Sequence, residues 1–168
     1  MSWSNFIFAI AAVAVHELGH VLCAAALGIP IISFGVKSVG GVISFDFSRS
    51  DYVSEILVHL SGPLCGIAAA VLCAAFLQDK TYSFIGVSVL FALVNLLPIT
   101  GFDGGGILYC VLCMFILPDT AWKICRATSL ISSLLLWGTV VFIELRVLPN
   151  LGLLFFAIWV LMEEVKRK

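Results

Sequence analysis

The sequence predicts an all-α polytopic membrane protein of about five transmembrane spans, one of them broken, with one short membrane-associated β-hairpin. Three observations carry that prediction. Of the 168 residues, 62% are hydrophobic and only 11% are charged, with a mean hydropathy of +1.17. Soluble domains hold about 25% charged residues, so a water-exposed surface cannot be built from this composition. Apolar segments long enough to cross a bilayer recur along the chain. One of these segments carries a proline and a glycine cluster in its middle, and backbone broken at membrane depth is tolerated only where it is buried in protein or lines a wet cavity.

The first span runs from about Asn5 to Leu27 and stops at Gly28-Ile29-Pro30, a helix-ending sequence. Met1 to Val15 lacks a basic leader region, and its apolar run continues without a small-residue cleavage site, so the segment is read as retained. From Ile31 to Asp51 the β-favouring residues Ile32, Phe34, Val36, Val39, Val42, Ile43, Phe45 and Phe47 surround Ser38-Val39-Gly40-Gly41. That pattern predicts a hairpin about a glycine-containing turn, apolar enough to dip into the membrane interface. The second span runs from about Tyr52 to Leu77. Pro63 removes a backbone donor within it, and Ser61 and Gly62 allow a neighbouring helix to come close.

Thr81 to Leu117 contains Asn95-Leu96-Leu97-Pro98-Ile99-Thr100-Gly101-Phe102-Asp103-Gly104-Gly105-Gly106, where no regular helix can continue. As one broken crossing, it leaves Lys37, Arg49, Lys123, Arg126, Lys166, Arg167 and Lys168 on one side and Lys80 and Arg146 on the other. Two full crossings would give a weaker bias under the positive-inside rule, so one broken crossing is preferred. Ala127 to Leu145 and Leu148 to Met162 complete five spans. The C-terminus is then cytoplasmic and the N-terminus extracytoplasmic, in a multi-pass protein of the cell membrane. Residues 1–168 form a single membrane-embedded domain without internal repeats or a separate soluble domain.

Other features exclude function classes. A formal net charge of -1 and the lack of a basic run among aromatics leave no footprint for nucleic acid. Cys23, Cys65, Cys73, Cys110, Cys113 and Cys125 lie mostly within apolar stretches and read as packing residues rather than disulfides. The lone Cys-x-x-Cys pair, Cys110 and Cys113, has no redox context.

The chemistry centres on Val15-His16-Glu17-Leu18-Gly19-His20 in the first span. On a helix, His16 and His20 are four positions apart and share a face, so both imidazoles can bind one metal ion. Glu17 adjoins the first histidine and can reach a water at the metal, as the general base of a zinc hydrolase does. Ionisable residues at this depth are costly and usually mark function.

Catalytic zinc takes three protein ligands, and Asp103, in its glycine-rich break, is the best third candidate. Its rivals are His59 and Glu55, of which Glu55 sits near the start of the second span and reads as interfacial. His59 is either a further ligand or, the favoured reading, a hydrogen-bonded structural residue. Asp103 has a bland alternative as the cap of a helix beginning at Gly104. Asn95 either contacts substrate or its oxyanion, or bonds within the broken helix.

Together, the His16-Glu17-Leu18-Gly19-His20 pentad and Asn95-x-x-Pro98-x-x-x-x-Asp103-Gly104 resemble the site-2 protease family of intramembrane zinc metalloproteases. The stretch from Asn95 to Gly105 and the terminal Glu163-Glu164 are most similar to its stage IV sporulation protease branch. The resemblance implies that His16, His20 and Asp103 bind one zinc ion, that Glu17 is the catalytic acid/base, and that the Ile31 to Phe47 hairpin lies near the substrate entrance. Expected partners are the bilayer and a membrane-associated protein substrate such as a sporulation transcription-factor precursor or an anti-sigma factor. The chain departs from that branch in lacking a span before the pentad helix and a regulatory domain after the last span.

On this reading His16, Glu17, His20, Asn95, Thr100 and Asp103 line a wet pocket. The alternatives are an inactive scaffold of the same family and a zinc transporter, which would need several exchangeable sites along a path.

Overall fold

The computed structural model describes residues 3–37, 40–76, 82–146 and 151–166. It divides into two compact units, Met1–Leu96 and Leu97–Lys168. The first holds helix α1 (Trp3–Ala26), strands β1 (Ile31–Lys37) and β2 (Gly40–Phe45), and helices α2 (Tyr52–Phe76) and α3 (Tyr82–Asn95). The second holds α4 (Asp103–Cys113), α5 (Pro118–Arg146) and α6 (Leu151–Lys166).

The end of α1 shows why the sequence folds as it does. Gly28 adopts φ 69°, a left-handed conformation that favours glycine. The Ile29 amide then donates to the Ala24 carbonyl at 2.8 Å and the Gly28 amide to Ala25 at 3.2 Å, closing the last turn in a Schellman arrangement. This turns the chain into β1, which pairs antiparallel with β2 from Ile31↔Phe45 to Lys37↔Gly40. Gly40 and Gly41, expected in the turn, belong to β2, while Ser38 and Val39 lie outside the described residues. The hairpin base is seated on the helices: Phe45 and Phe47 pack with Cys23 against buried Ala24, Ile29 and Val58. Asp51 opens α2 by accepting the Ser54 amide at 2.9 Å, a side-chain N-cap. Helices α1, α2 and α3 pack pairwise.

Ile7–Ala26, Tyr52–Phe76 and Pro118–Arg146 are 20, 25 and 29 residues long, and each is apolar enough to cross a membrane. Their outward faces expose Leu18, Leu22, Leu64, Leu72, Leu134 and Leu135, as lipid-facing surfaces do. By contrast, α3 has 14 residues and α4 has 11. At 1.5 Å per residue these measure about 21 and 16 Å, against about 30 Å of hydrocarbon, so neither crosses alone. The span expected over Ala127 to Leu145 is a longer helix starting at Pro118, whose preset φ suits a first helical position. Lys123 and Arg126 therefore lie in the early turns of α5 rather than in a loop.

In the second unit α5 packs against α4 and α6. The buried side of α6 is formed by Ala157, Val160 and Glu164, a 3-4 spacing that places them on one face. All six cysteines are free thiols.

Candidate functional site

Helix α1 brings His16 and His20 together, as their spacing requires. Their Nε2 atoms are 3.2 Å apart, and both side chains are buried, 2% and 6% exposed. The orientation of His20 comes from α2. Its Nδ1 lies 2.7 Å from the Val58 carbonyl, an acceptor only, so the ring proton sits on Nδ1 and Nε2 keeps its lone pair. Ser61 also donates to this carbonyl, at 2.6 Å. A backbone carbonyl behind a histidine is a common second partner in metal sites, where it fixes tautomer and ring plane.

The spacing tests whether these residues fit a zinc ion. Two imidazole nitrogens bonded to one tetrahedral zinc at about 2.0–2.1 Å stand about 3.3 Å apart. The His16–His20 pair matches that edge, with His20 already in the ligating tautomer. Glu17 is half-buried beside them.

Close helix contact makes this geometry possible. A Cβ on Gly62 would run into the His20 ring at Nε2 and Cε1. A Cβ on Gly19 would lie 2.5 Å from the Ser61 carbonyl oxygen and 2.7 Å from the Cys65 Cβ. Hydrogen is the only side chain that either position accommodates without movement. From α3, Phe91 closes the other side, its ring edge-on to His16 with centroids 4.8 Å apart. Asn95 lies one turn beyond Phe91 on the same face and donates from Nδ2 to the Phe91 carbonyl at 3.0 Å. That is the intrahelical bond of the blander expectation.

The rivals for a metal ligand are placed differently. The His59 ring lies tilted at 38° against Phe47 after the hairpin, with centroids 6.1 Å apart, and Glu55 lies in the first turn of α2, where a carboxylate is favoured by the helix dipole.

Asp103 belongs to the second unit, where it is the first residue of α4. The cap is Phe102, in extended conformation with φ -101° and ψ 162°, and it makes no side-chain cap bond. Its carbonyl accepts the Gly105 and Gly106 amides at 3.1 and 3.2 Å. The capping alternative for Asp103 is thereby corrected: the helix starts one residue before Gly104, and its cap is made by backbone. The preceding turn, Ile99 to Phe102, is closed by the Phe102 amide on the Ile99 carbonyl at 3.0 Å, with Gly101 at φ 93° as its third residue demands.

Thr100 has its hydroxyl on Glu164 at 3.2 Å and its amide on the Ser129 hydroxyl at 2.8 Å. Sequence reasoning missed the contacts made by Glu164, Ser129, Phe91 and the Val58 carbonyl, although it noted Glu163-Glu164 as part of the resemblance. Only Glu164 gave a local signal, as a carboxylate in an apolar helix.

With the geometry established, comparison with known proteins adds the following. The model of the family described as Peptidase family M50 matches residues 5–84, a stretch that includes His16, Glu17 and His20. The solved structure of a site-2 protease from Methanocaldococcus jannaschii superposes with a TM-score of 0.74 at 22% identity, covering 97% of this chain and 76% of that one. The fold is that of a site-2 protease. No curated protein matches the chain.

Proposed function

We propose that the chain is an intramembrane zinc endopeptidase of the site-2 protease family, which hydrolyses a peptide bond in a membrane-associated protein. The observation that carries this reading is the buried His16–His20 pair, its Nε2 atoms converged at 3.2 Å with Glu17 next in sequence. The Peptidase family M50 match over the same residues and the shared fold support it.

His16, His20 and Asp103 form the three-residue donor set that holds one zinc ion in this proposal. Two neutral imidazoles and one carboxylate are the usual complement of a hydrolytic zinc, and they leave a position for water. Zinc, when bound, supplies Lewis acidity that activates water and polarises the scissile carbonyl. Glu17 takes the proton of the attacking water and delivers it to the departing amine. Val58 keeps the His20 proton on Nδ1 throughout, so the imidazole stays a ligand rather than becoming a competing acid. Phe91 shields His16, and Asn95, held to the Phe91 carbonyl, keeps one amide hydrogen and its carbonyl oxygen for a substrate backbone. The substrate helix unwinds before attack, because its amides are otherwise internally bonded. The hairpin edge receives the unwound segment by strand addition.

The proposal retains five spans, with α3 and α4 as halves of the broken one and the C-terminus in the cytoplasm. From the likeness of Asn95 to Gly105 to the sporulation branch, we take the substrate class to be a membrane-bound transcription-factor precursor or an anti-sigma factor.

Glu17→Gln tests the mechanism. Reconstituted with single-span reporter substrates, the variant should lose about 10²–10⁴-fold in cleavage rate while keeping its zinc. Wild-type cleavage by the Gln variant removes Glu17 from the mechanism.

A further inference from the structure

Glu164 lies on the buried face of α6, in line with Ala157 and Val160, and is 1% exposed. An apolar residue would fit that stripe without the cost of burying a carboxylate, which is tolerated only when hydrogen-bonded. Glu164 Oε1 accepts the Thr100 hydroxyl at 3.2 Å. Thr100 is also anchored by its main chain, the amide donating at 2.8 Å to Ser129 Oγ on α5. Ser129 is fully buried, and its carbonyl accepts the Ser133 hydroxyl at 2.7 Å. Thus two helices grip one residue of the turn Ile99 to Phe102, one by its side chain and the other by its backbone.

That turn has little freedom of its own to lose. Ile99 is 2% exposed, and a Cβ on Gly105 would overlap the Ile99 carbonyl, so the turn lies directly on the first turn of α4. Asp103 begins that helix, three residues beyond Thr100. Displacing Thr100 therefore displaces Asp103.

We propose that Glu164 is a positioning residue: through Thr100 it holds the turn that presents Asp103, and so tunes metal affinity from the far end of the chain. The proposal rests on the reading of Asp103 as a metal ligand. It assigns the buried carboxylate a task that an apolar residue cannot perform. Glutamine can perform it, since its side-chain carbonyl also accepts a hydroxyl proton.

The test uses the full-length protein in detergent, with Glu164→Gln, Glu164→Leu, Thr100→Val and Asp103→Ala beside wild type. Zinc affinity is read by chelator competition, and backbone amide exchange over residues 97–106 is read on metal-free protein. Glu164→Leu and Thr100→Val should each weaken zinc binding by about 10–100-fold, the usual effect of losing an outer partner, and should speed exchange in the turn. Glu164→Gln should stay within a few-fold of wild type in both.

Thr100→Val removes the same bond from the other side without altering α6, so it reports on the bond even if Glu164→Leu disrupts helix packing. Wild-type zinc affinity in Thr100→Val, or a Gln variant as weak as the Leu variant, overturns the proposal. Asp103→Ala separates the two failures. If it binds zinc as wild type does, the ligand reading has failed; if it loses zinc while Thr100→Val does not, the positioning role has failed.

Discussion

The histidines of α1 and the turn before Asp103 are positioned by opposite means. Around His20 the fixing element is missing volume: Gly62 has no Cβ to meet the imidazole, Gly19 lets α2 approach, and one backbone carbonyl, that of Val58, orients the ring. Around Thr100 the fixing element is added polarity: a carboxylate from α6 and a hydroxyl from α5 reach into an apolar surrounding to hold a turn. Each device suits its backbone. A helix already sets the 16/20 spacing, so only ring orientation remains to be fixed, and close packing does that. A turn does not set its own position and needs side chains from its neighbours.

Substitutions at the two glycines nearest these devices sharpen the contrast, beginning with the largest effect. Gly62→Val puts branched carbon where the His20 ring lies. Overpacking of this kind costs about 1–3 kcal/mol, and ring displacement should weaken zinc binding by roughly 10–100-fold. Isothermal titration beside thermal unfolding checks both; unchanged zinc affinity would show that the ring is not held by the glycine space.

Gly105→Ala should show the smaller effect. Helix propensity favours alanine over glycine by about 1 kcal/mol, but the new methyl overlaps the Ile99 carbonyl, which as backbone cannot rotate away. Net destabilisation of about 1–2 kcal/mol is expected; a stabilised variant would mean that the turn yields and holds nothing in place.

The smallest effect lies away from both devices, at the start of α2. Hydrogen bonds from the Ser54 hydroxyl and amide hold the Asp51 carboxyl below the usual carboxylate range. A lowered pKa in the fold means that the ionised form is the one stabilised. That contribution is present above the unfolded value of about 3.9 and is lost as pH falls through the folded value. Asp51→Asn should therefore lower stability slightly above about pH 4, flatten the profile below it and match wild type at the acid end, as acid unfolding curves would reveal.

Much of this was legible in the sequence, and the contrast explains which part. The His16–His20 pair, the end of α1 at Gly28, the hairpin and the limits of α2 follow from local rules: helical periodicity, a left-handed glycine, alternating β-branched residues. Gly62 was recognisable as a close-contact position, but not that the group in contact would be His20, because packing partners are not local. Glu164 carried less information still. A carboxylate near the C-terminus of an apolar helix looks like an interfacial residue until the fold brings Thr100 to it from 64 positions away. The expected span began at Ala127, just after Lys123 and Arg126, whereas the helix has 29 residues and carries both cations in its early turns.

The most direct measurement is the zinc content of detergent-purified wild-type protein beside His20→Ala and Asp103→Ala. The account predicts one zinc per chain in the wild type, and its loss or severe weakening in both variants. Absence of zinc from the wild type, or retention by Asp103→Ala, would contradict it.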